Sequence, residues 1–230
     1  MGTSFDALKA QDLGRVAARE LIERTAIDPA IIDEVVFGNV CQPPDAANVS
    51  RVIALLSGIP MTTPAFTVHR NCASGIESVV TAAIKIQAGQ GHCFLVGGTE
   101  SMSNVPFFLT KKLQSIITRL NRSKTLLAKL QVLSQIRPKH LTPQIGLMLG
   151  LTDPICGLNM GETAEGLAKE FGITREEQDD FSLKSHLRAV ASRNILKEEI
   201  VPVEISQQKK FKQDEHPRKK VSVESFQILP

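Results

Sequence analysis

The stretch Phe66-Thr67-Val68-His69-Arg70-Asn71-Cys72-Ala73-Ser74-Gly75 leads from a short run typical of a strand into an apolar stretch with helical periodicity, which continues to about Gln87. A strand that turns sharply into a helix places the Cys72 sulfur beside the first unpaired amides of the helix, where the helix dipole favours thiolate over thiol. The small residues at positions 73–75 leave room for a substrate carbonyl. Cys72 is therefore a candidate nucleophile, although the same pattern also fits a structural cysteine in a tight contact between helix and strand.

The segments around this stretch predict a parallel sheet. Residues 34–40 and 92–96 are typical of buried strands, and a glycine turn follows the second of them. Helical periodicity covers residues 8–25 and 48–57. The apolar face of the first helix contains Leu13, Val16, Ala17, Leu21 and Ile22. Helices that alternate with strands predict an α/β fold, in which crossover helices join parallel strands.

Several motifs on this framework are similar to those of the thiolase family. Asn71-Cys72-Ala73-Ser74-Gly75 resembles the nucleophile motif of that family, and Gly97-Gly98-Thr99-Glu100-Ser101-Met102-Ser103 resembles the motif on its next core strand. Further matches, in the family's order, are Gly38-Asn39-Val40, Asn48, Arg51, Met160-Gly161-Glu162-Thr163-Ala164-Glu165, Gly172-Ile173-Thr174-Arg175-Glu176-Glu177-Gln178-Asp179 and Ser185-His186. From these motifs the chain is identified as a member of the family.

The resemblance implies a thiolase-like half-fold and a mainly helical loop domain, most similar to the β subunit of the trifunctional complex of fatty-acid oxidation. It divides the chain into residues 1–104, the N-terminal core with the nucleophile; residues 105–205, the loop domain with a return strand; and residues 206–230, a polar segment that leads to a second half. Cys72 would accept the acyl group in an acyltransferase that converts a 3-ketoacyl-CoA and CoA to acyl-CoA and acetyl-CoA. Coenzyme A would be a co-substrate, with no bound cofactor and no metal.

The features that the family carries in its second half have no counterpart in this sequence. They are a serine-containing coenzyme A loop, an activating histidine, an Asn-Glu pair and a second cysteine. Cys156-Gly157 lies inside the predicted loop domain and lacks the spacing of the second-cysteine motif, so it is interpreted as structural. His69 and the other four histidines lie in separate elements and do not replace the missing one. We therefore expect a truncated chain, inactive alone, that acts as a homodimer or with a complementing C-terminal half.

Composition excludes several other classes of protein. A hydrophobic content of 42% in 230 residues is enough for a buried core. The net charge of +3, with no Trp or Tyr, argues against a nucleic-acid-binding protein. No apolar run approaches the roughly 20 residues of a membrane-spanning helix. Four cysteines without paired spacing, and no leader pattern, favour the cytoplasm.

Residues 109–141 have a different character, because they combine cations with an apolar periodicity. The cations are Lys111, Lys112, Arg119, Arg122, Lys124, Lys129, Arg137 and Lys139, and the segment contains no acidic residue. Leucine and isoleucine recur at helical spacing, which predicts one or two basic amphipathic helices. Such helices can form a solvated face over a core, dock to a partner such as a hydratase/dehydrogenase subunit, or lie on an anionic membrane surface.

A second candidate site residue is Arg218, within Asp214-Glu215-His216-Pro217-Arg218. In thiolases a similar stretch lies near the nucleotide end of coenzyme A, so the resemblance implies a charge-assisted contact to a phosphate or adenine. The alternative is a solvated loop.

Three functional hypotheses follow. The first is a thiolase-type acyltransferase of fatty-acid β-oxidation that uses Cys72. The second is a noncatalytic thiolase-like remnant, or an interaction module, that binds a partner or a membrane through the basic helices. The third is a condensing enzyme of the ketosynthase type, against which the residues 97–103 argue.

Overall fold

A computed structural model describes residues 4–206 and 209–226. These residues group into two compact units, one formed by residues 4–104 with 173–226 and the other by residues 105–172. The expected boundary after residue 104 coincides with the division between the units. Residues 173–205, which the sequence assigned to the loop domain, are grouped with the first unit instead. One reason is a tertiary contact without a sequence signal, in which Arg24 Nη1 donates to the Glu198 carbonyl at 2.7 Å.

The centre of the first unit is a sheet of three parallel strands. Strand β1, Glu34–Gly38, lies between β2, Ala65–Val68, and β3, Phe94–Gly98. Helix α2, Val49–Leu56, joins β1 to β2, and helix α3, Ser74–Gln87, joins β2 to β3. The register pairs the end of β1 with the ends of both neighbours, so all three carboxyl ends meet at one edge. The α/β fold with a parallel sheet and crossover helices is therefore confirmed.

Helix α1, Ala10–Thr25, packs against α2 through small residues. Its buried residues are Ala10, Gln11, Gly14 and Ala18. Of the apolar face predicted from the sequence, Ile22 packs against the core, whereas Ala17 and Leu21 are exposed. The physical reason is close approach: a Cβ added at Gly14 would lie 2.3 Å from Ile53 Cδ1.

The hydrophobic core lies between this helix pair and the sheet. Val35 and Ile53 are fully buried, and Phe37 and Leu95 are nearly so. Each buried aliphatic side chain of this kind contributes about 1.5–3 kcal/mol relative to exposure. The sheet and α2 are therefore the stable frame on which the loops at the carboxyl edge rest.

Helix α3 shows the opposite distribution of small and large side chains. The residues that it buries against the sheet are Ser74, Ser78 and Ala82, at a spacing of four. Its large apolar residues Ile76, Val79, Val80, Ile84 and Ile86 are all more than two-fifths exposed. The periodicity of the sequence predicted the helix correctly, but its large side chains point away from the sheet.

The second unit, Val105–Gly172, contains both predicted basic helices, α4 and α5. Thr110 and Thr125 accept hydrogen bonds from Leu113 N and Ala128 N and so cap the two helices. Its elements in chain order are β4 (Phe107–Phe108), α4 (Lys111–Arg122), α5 (Leu126–Leu133), β5 (Gln144–Ile145), α6 (Gly146–Leu151) and α7 (Met160–Phe171). The two short strands pair antiparallel.

The chain then returns to the first unit. The elements are α8 (Arg175–Ala191), α9 (Arg193–Glu199), β6 (Val203–Ser206), β7 (Lys209–Phe211) and α10 (Val223–Phe226). In the sequence, Thr174 is followed three residues later by Glu177, a pattern that predicts a capping box. The box is present at the start of α8, since Thr174 Oγ1 accepts from Glu177 N and Glu177 Oε2 accepts from Thr174 N. The expected polar segment 206–230 contains strand β7, which pairs antiparallel with β6. Residues 227–230, at its end, lie outside the described residues.

None of the helices within the described ranges combines the length and the apolar composition that crossing a membrane requires.

Candidate functional site

Cys72 lies in the loop between β2 and α3, at the carboxyl edge of the sheet. Its side chain is exposed. Asn71, immediately before it, has a φ of 46°, in the left-handed region that residues with side chains seldom adopt. The chain therefore turns sharply from the strand into the helix, with Cys72 close to the start of a helix of 14 residues. This is the arrangement that the sequence predicted for a candidate nucleophile.

The hydroxyl of Ser74 holds this turn together. Ser74 Oγ accepts a hydrogen bond from Arg70 N at 2.8 Å and donates one to the Asn71 carbonyl at 2.6 Å. The Ser74 side chain is part of the buried core of the turn, since the residue is only 4% exposed. Backbone bonds from Ala73 N to the Arg70 carbonyl and from Ser74 N to the Asn71 carbonyl complete the turn. The two residues that precede Cys72 are thus bonded to the first residue of α3.

Glycines at the strand ends allow α3 to start against the sheet. A Cβ added at Gly38 would lie 2.3 Å from both the carbonyl carbon and the carbonyl oxygen of Ser74. One added at Gly98 would lie 3.2 Å from Gly75 Cα. One turn later, Ser78 Oγ donates to the carbonyls of Gly75 and Gly97. The start of α3 is therefore fixed on both β1 and β3.

The two motifs that follow β1 and β3 are bonded to each other. The Glu100 carboxylate accepts from Val40 N at 2.9 Å and from Cys41 N at 3.3 Å. Asn39 Nδ2 donates to the Thr99 carbonyl at 2.8 Å and to Glu100 Oε1 at 3.1 Å. Burial raises the pKa of the Cys41 thiol, and the nearby Glu100 carboxylate raises it further. Cys41 is therefore a poor competitor to Cys72 as a nucleophile.

The other upstream motif residues have structural roles. Asn48 Oδ1 accepts from Arg51 N and caps α2, while Asn48 Nδ2 donates to the Ala65 carbonyl. Arg51 donates to the carbonyls of Thr63 and Met61 at 2.6 and 2.7 Å. These residues join α2 to β2 and to the loop before it, so they support the edge of the sheet.

Two polar residues near Cys72 were not singled out by the sequence. Arg70 Nη1 and Glu77 Oε2 form an ion pair at 2.7 Å that joins the turn to the first turn of α3. The signal available in the sequence was an acidic residue in the first turn of a predicted helix.

His69 Nδ1 lies 3.4 Å from Asn71 N and accepts a long hydrogen bond from it. The histidine ring therefore faces the backbone of the turn.

Arg218 lies in an exposed loop of the first unit. Its backbone amide donates to His186 Nδ1 at 3.3 Å, and its neighbours Pro217 and Lys219 line a cleft of about 530 Å³ beside α9. The other basic residues along this cleft are Arg193, Lys197 and Lys212. Arg193 Nη2 donates to the Pro217 carbonyl at 3.0 Å, which holds the loop against the helix.

The chemistry that this arrangement supports is nucleophilic. Cys72 and Cys156 are exposed thiols, whereas Cys41 and Cys93 are partly buried. Only Cys72 of the exposed pair directly precedes a long helix that is anchored at the carboxyl edge of the sheet. Across the described part of the chain, no cluster of three or more His, Cys, Asp or Glu side chains is arranged to hold a metal ion.

Comparisons with protein families and with individual proteins give matches over most of the chain. Residues 1–230 match the family described as Thiolase, N-terminal domain. A 3-ketoacyl-CoA thiolase of Pectobacterium atrosepticum is 35% identical over 230 residues, which are 99% of this chain and 52% of that protein. An Escherichia coli 3-ketoacyl-CoA thiolase is 37% identical over 202 residues, which are 87% of this chain and 46% of that protein.

Two solved structures cover the whole chain. The acetyl-CoA acetyltransferase of Bacillus anthracis has a TM-score of 0.83 at 31% identity, and human mitochondrial 3-ketoacyl-CoA thiolase in complex with CoA has 0.82 at 31% identity. In both cases the match covers 54% of the other chain, so this chain spans about half the length of the relatives it matches. The full-length family match and these relatives show that the chain belongs to the thiolase family.

Proposed function

We propose that this chain is the nucleophile-bearing part of a 3-ketoacyl-CoA thiolase of fatty-acid β-oxidation, with Cys72 as the acyl acceptor. The observation that carries the proposal is the exposed Cys72 thiol in a sharp turn at the start of α3. Relatives named 3-ketoacyl-CoA thiolase support the substrate class. The four cysteines are free thiols, which supports a cytoplasmic location.

The proposed reaction has two halves. The Cys72 thiolate attacks the 3-keto carbon of a 3-ketoacyl-CoA, and the bond between C2 and C3 breaks. The acyl group stays on sulfur as a thioester, while the departing acetyl-CoA enolate takes a proton from an acid. The thiol of CoA then loses its proton to a base and attacks the thioester, which releases acyl-CoA and restores the Cys72 thiolate. Coenzyme A is thus a co-substrate, and the scheme requires no bound cofactor.

Arg218 is proposed to contact the nucleotide end of coenzyme A. Support comes from the cleft beside it, where Lys197, Lys212 and Lys219 supply positive charge for phosphate groups. Asp214 also lines the cleft and would repel a phosphate, so a phosphate would bind beside the lysines and away from Asp214. The test is the dissociation constant for CoA. Arg218→Gln should raise this constant, and an unchanged value would contradict the assignment.

A complementing C-terminal half is proposed to cover the outer face of α3. Ile76 and Ile84 are 62% and 58% exposed on a helix whose other side is firmly bonded to the sheet. Contiguous apolar surface of this kind marks an interface. The relatives are about twice as long as this chain, so each has enough sequence to supply such a cover. A homodimer is the second occupant that we consider, and a hydratase/dehydrogenase subunit would be a further partner of the assembled enzyme.

The test is labelling of the purified chain, read by intact mass and peptide mapping. Acetyl-CoA should transfer one acetyl group to Cys72 with release of CoA, and iodoacetamide at neutral pH should alkylate Cys72 before the other cysteines. Cys72→Ala should abolish the acetylation, whereas Cys156→Ala, which removes the other exposed thiol, should not change it. Alkylation of Cys72 no faster than that of Cys156 would contradict the proposal.

A second candidate function is attachment to an anionic membrane surface through α4 and α5. All eight cations of residues 109–141 are exposed, and residues 101–152 contain no acidic side chain. Leu126, Leu127 and Leu130 are 76%, 79% and 56% exposed between these cations. Leu113 and Ile116 are buried and α4 packs against α5, and of its cations Arg119 donates to Gln135 Oε1. Each basic residue near an anionic bilayer contributes about 1 kcal/mol.

The vesicle test separates this surface from a general effect of charge. The chain should float with vesicles that contain phosphatidylserine and not with pure phosphatidylcholine vesicles. Neutralising Lys111, Lys112, Arg119 and Arg122 to Gln should abolish flotation, and raising the salt concentration should weaken it. The control neutralises four cations of the first unit in the same way, Arg15, Arg19, Lys184 and Arg188. Equal flotation of both variants would reject the proposed surface, and no flotation of the original chain would leave docking to a protein as the remaining role for these helices.

A further inference from the structure

We infer that Ser74 is a positioning residue for Cys72, because its hydroxyl holds the turn that presents the thiol. The inference rests on the proposed role of Cys72 as the nucleophile and adds a residue that controls how the thiol is presented. It is carried by the two hydrogen bonds of Ser74 Oγ, at 2.8 Å from Arg70 N and at 2.6 Å to the Asn71 carbonyl.

These bonds act on Asn71, whose φ of 46° lies in the left-handed region. Asparagine adopts this region more readily than most residues with a side chain, but at a cost that glycine does not have. Ser74 Oγ bonds the carbonyl of Asn71 and also the amide of Arg70, so it holds the peptide groups on the N-terminal side of Cys72. Without the hydroxyl, Asn71 can relax to a negative φ, and the direction of the next residue, Cys72, changes with it.

The position of the hydroxyl is itself fixed by the contact between Ser74 and strand β1. The Ser74 backbone contacts Gly38 so closely that a Cβ there would lie 2.3 Å from its carbonyl. Ser74 is 4% exposed, so water has little access to the site and does not take the place of the hydroxyl in Ser74→Ala. The two backbone bonds of the turn remain in Ser74→Ala, but the bond from Arg70 N and one of the two bonds to the Asn71 carbonyl are lost, so the turn is held less tightly.

The direct test is Ser74→Ala, with the rate of Cys72 alkylation by iodoacetamide as the readout. We expect that rate to fall toward the rate of Cys156, because the relaxed turn no longer holds the thiol at the exposed start of α3. Cys156, in the second unit, is the reference thiol within the same molecule, and its rate should not change. Circular dichroism and thermal unfolding establish that the variant is folded.

Two further variants separate positioning from stability. Ser50→Ala removes a hydroxyl that is also buried, but that belongs to α2 and bonds to Phe37 and Thr67 and not to the turn. It should lower the unfolding temperature and leave the Cys72 rate unchanged. Adding Asn71→Gly to Ser74→Ala should recover much of the Cys72 rate, because glycine adopts a positive φ without strain. The unfolding temperature of this double variant is measured alongside, because glycine at a positive φ also stabilises the folded chain.

The outcomes distinguish this inference from the proposed function. A Cys72 that reacts no faster than Cys156 in the original chain overturns both. A fast Cys72 in the original chain that stays equally fast in folded Ser74→Ala overturns the positioning role alone. An equal loss in Ser50→Ala, or no recovery with Asn71→Gly, also overturns it, since either result would show that the hydroxyl of Ser74 does not act through the turn.

Discussion

Gly38, at the end of β1, and Ser74, at the start of α3, are in backbone contact. A Cβ at position 38 would lie 2.3 Å from the Ser74 carbonyl carbon and oxygen. The central strand of the sheet thus sets where α3 begins, and through Ser74 it also sets the turn that carries Cys72. The position of the candidate nucleophile therefore depends on Gly38, a residue in a different motif.

Gly38→Ala should destabilise the chain and misplace Cys72 at the same time. The added methyl group meets backbone atoms, which cannot move aside as a flexible side chain does, so we expect a loss of about 1–3 kcal/mol or more. Urea unfolding measures this loss, and alkylation by iodoacetamide should show a slower Cys72. Gly75→Ala is the matched control, because a Cβ at Gly75 meets nothing within 4 Å. A stability equal to that of the original chain in Gly38→Ala would show that the strand and the helix can separate at this point.

Polar substitutions on the outer face of α3 should change association and leave stability almost unaltered. Val80 and Ile84 are 41% and 58% exposed, so Val80→Ser with Ile84→Ser should change the free energy of unfolding by only about 0.5 kcal/mol per site. The apparent mass in size-exclusion chromatography should fall if these residues join two chains. Ala82→Leu on the inner face provides the contrast, since overpacking against the sheet should cost about 1–3 kcal/mol. A large loss of stability from Val80→Ser with Ile84→Ser would show that these two side chains are buried in the folded chain.

The stability of the chain should include a contribution from Asp33 that disappears in acid. The backbone amides of His92 and Cys93 donate to its carboxylate and hold its pKa below the usual 3.8. A carboxyl group with a lowered folded-state pKa stabilises above its unfolded-state pKa, and this contribution is lost as the pH falls through the folded-state value. Asp33→Asn should therefore lower the urea midpoint at pH 7, and the difference from the original chain should shrink below about pH 3.8.

The control for that prediction is Glu199→Gln, an exposed carboxyl at the end of α9. It should shift the urea midpoint little at either pH. A difference between Asp33→Asn and the original chain that stays constant down to strongly acidic pH would show that the loss comes from altered hydrogen-bond geometry and not from the charge.

Cys41 should alkylate more slowly than Cys156 in the folded chain. Burial raises the pKa of the Cys41 thiol, and the Glu100 carboxylate raises it further, so less thiolate is present at a given pH. The rate at Cys41 should climb as the pH approaches and passes the ordinary thiol range. In concentrated urea the two cysteines should react alike, because neither cause survives unfolding. Equal rates in the native chain, measured by peptide mapping, would contradict the assignment.

The sequence by itself determined the local structure and the candidate nucleophile. Periodicity predicted β1 and α3, and the pattern Thr174 to Glu177 predicted the capping box at α8. These signals are readable because a helix, a strand or a cap depends on neighbours within a few residues. Cys72 was identifiable for the same reason, since the turn that carries it lies between one strand and the helix that follows.

Tertiary structure alone decided which faces are buried and which distant residues meet. Helix α3 buries Ser74, Ser78 and Ala82, whereas its large apolar residues are exposed. On α1 the small residues Gly14 and Ala18 face inward while Leu21 does not. In both helices the reason is close approach: small side chains let backbones come together, and a hydrophobicity pattern does not encode that distance. The contact between Gly38 and Ser74, and the grouping of residues 173–226 with the sheet unit, arise in the same way from packing between segments far apart in the chain.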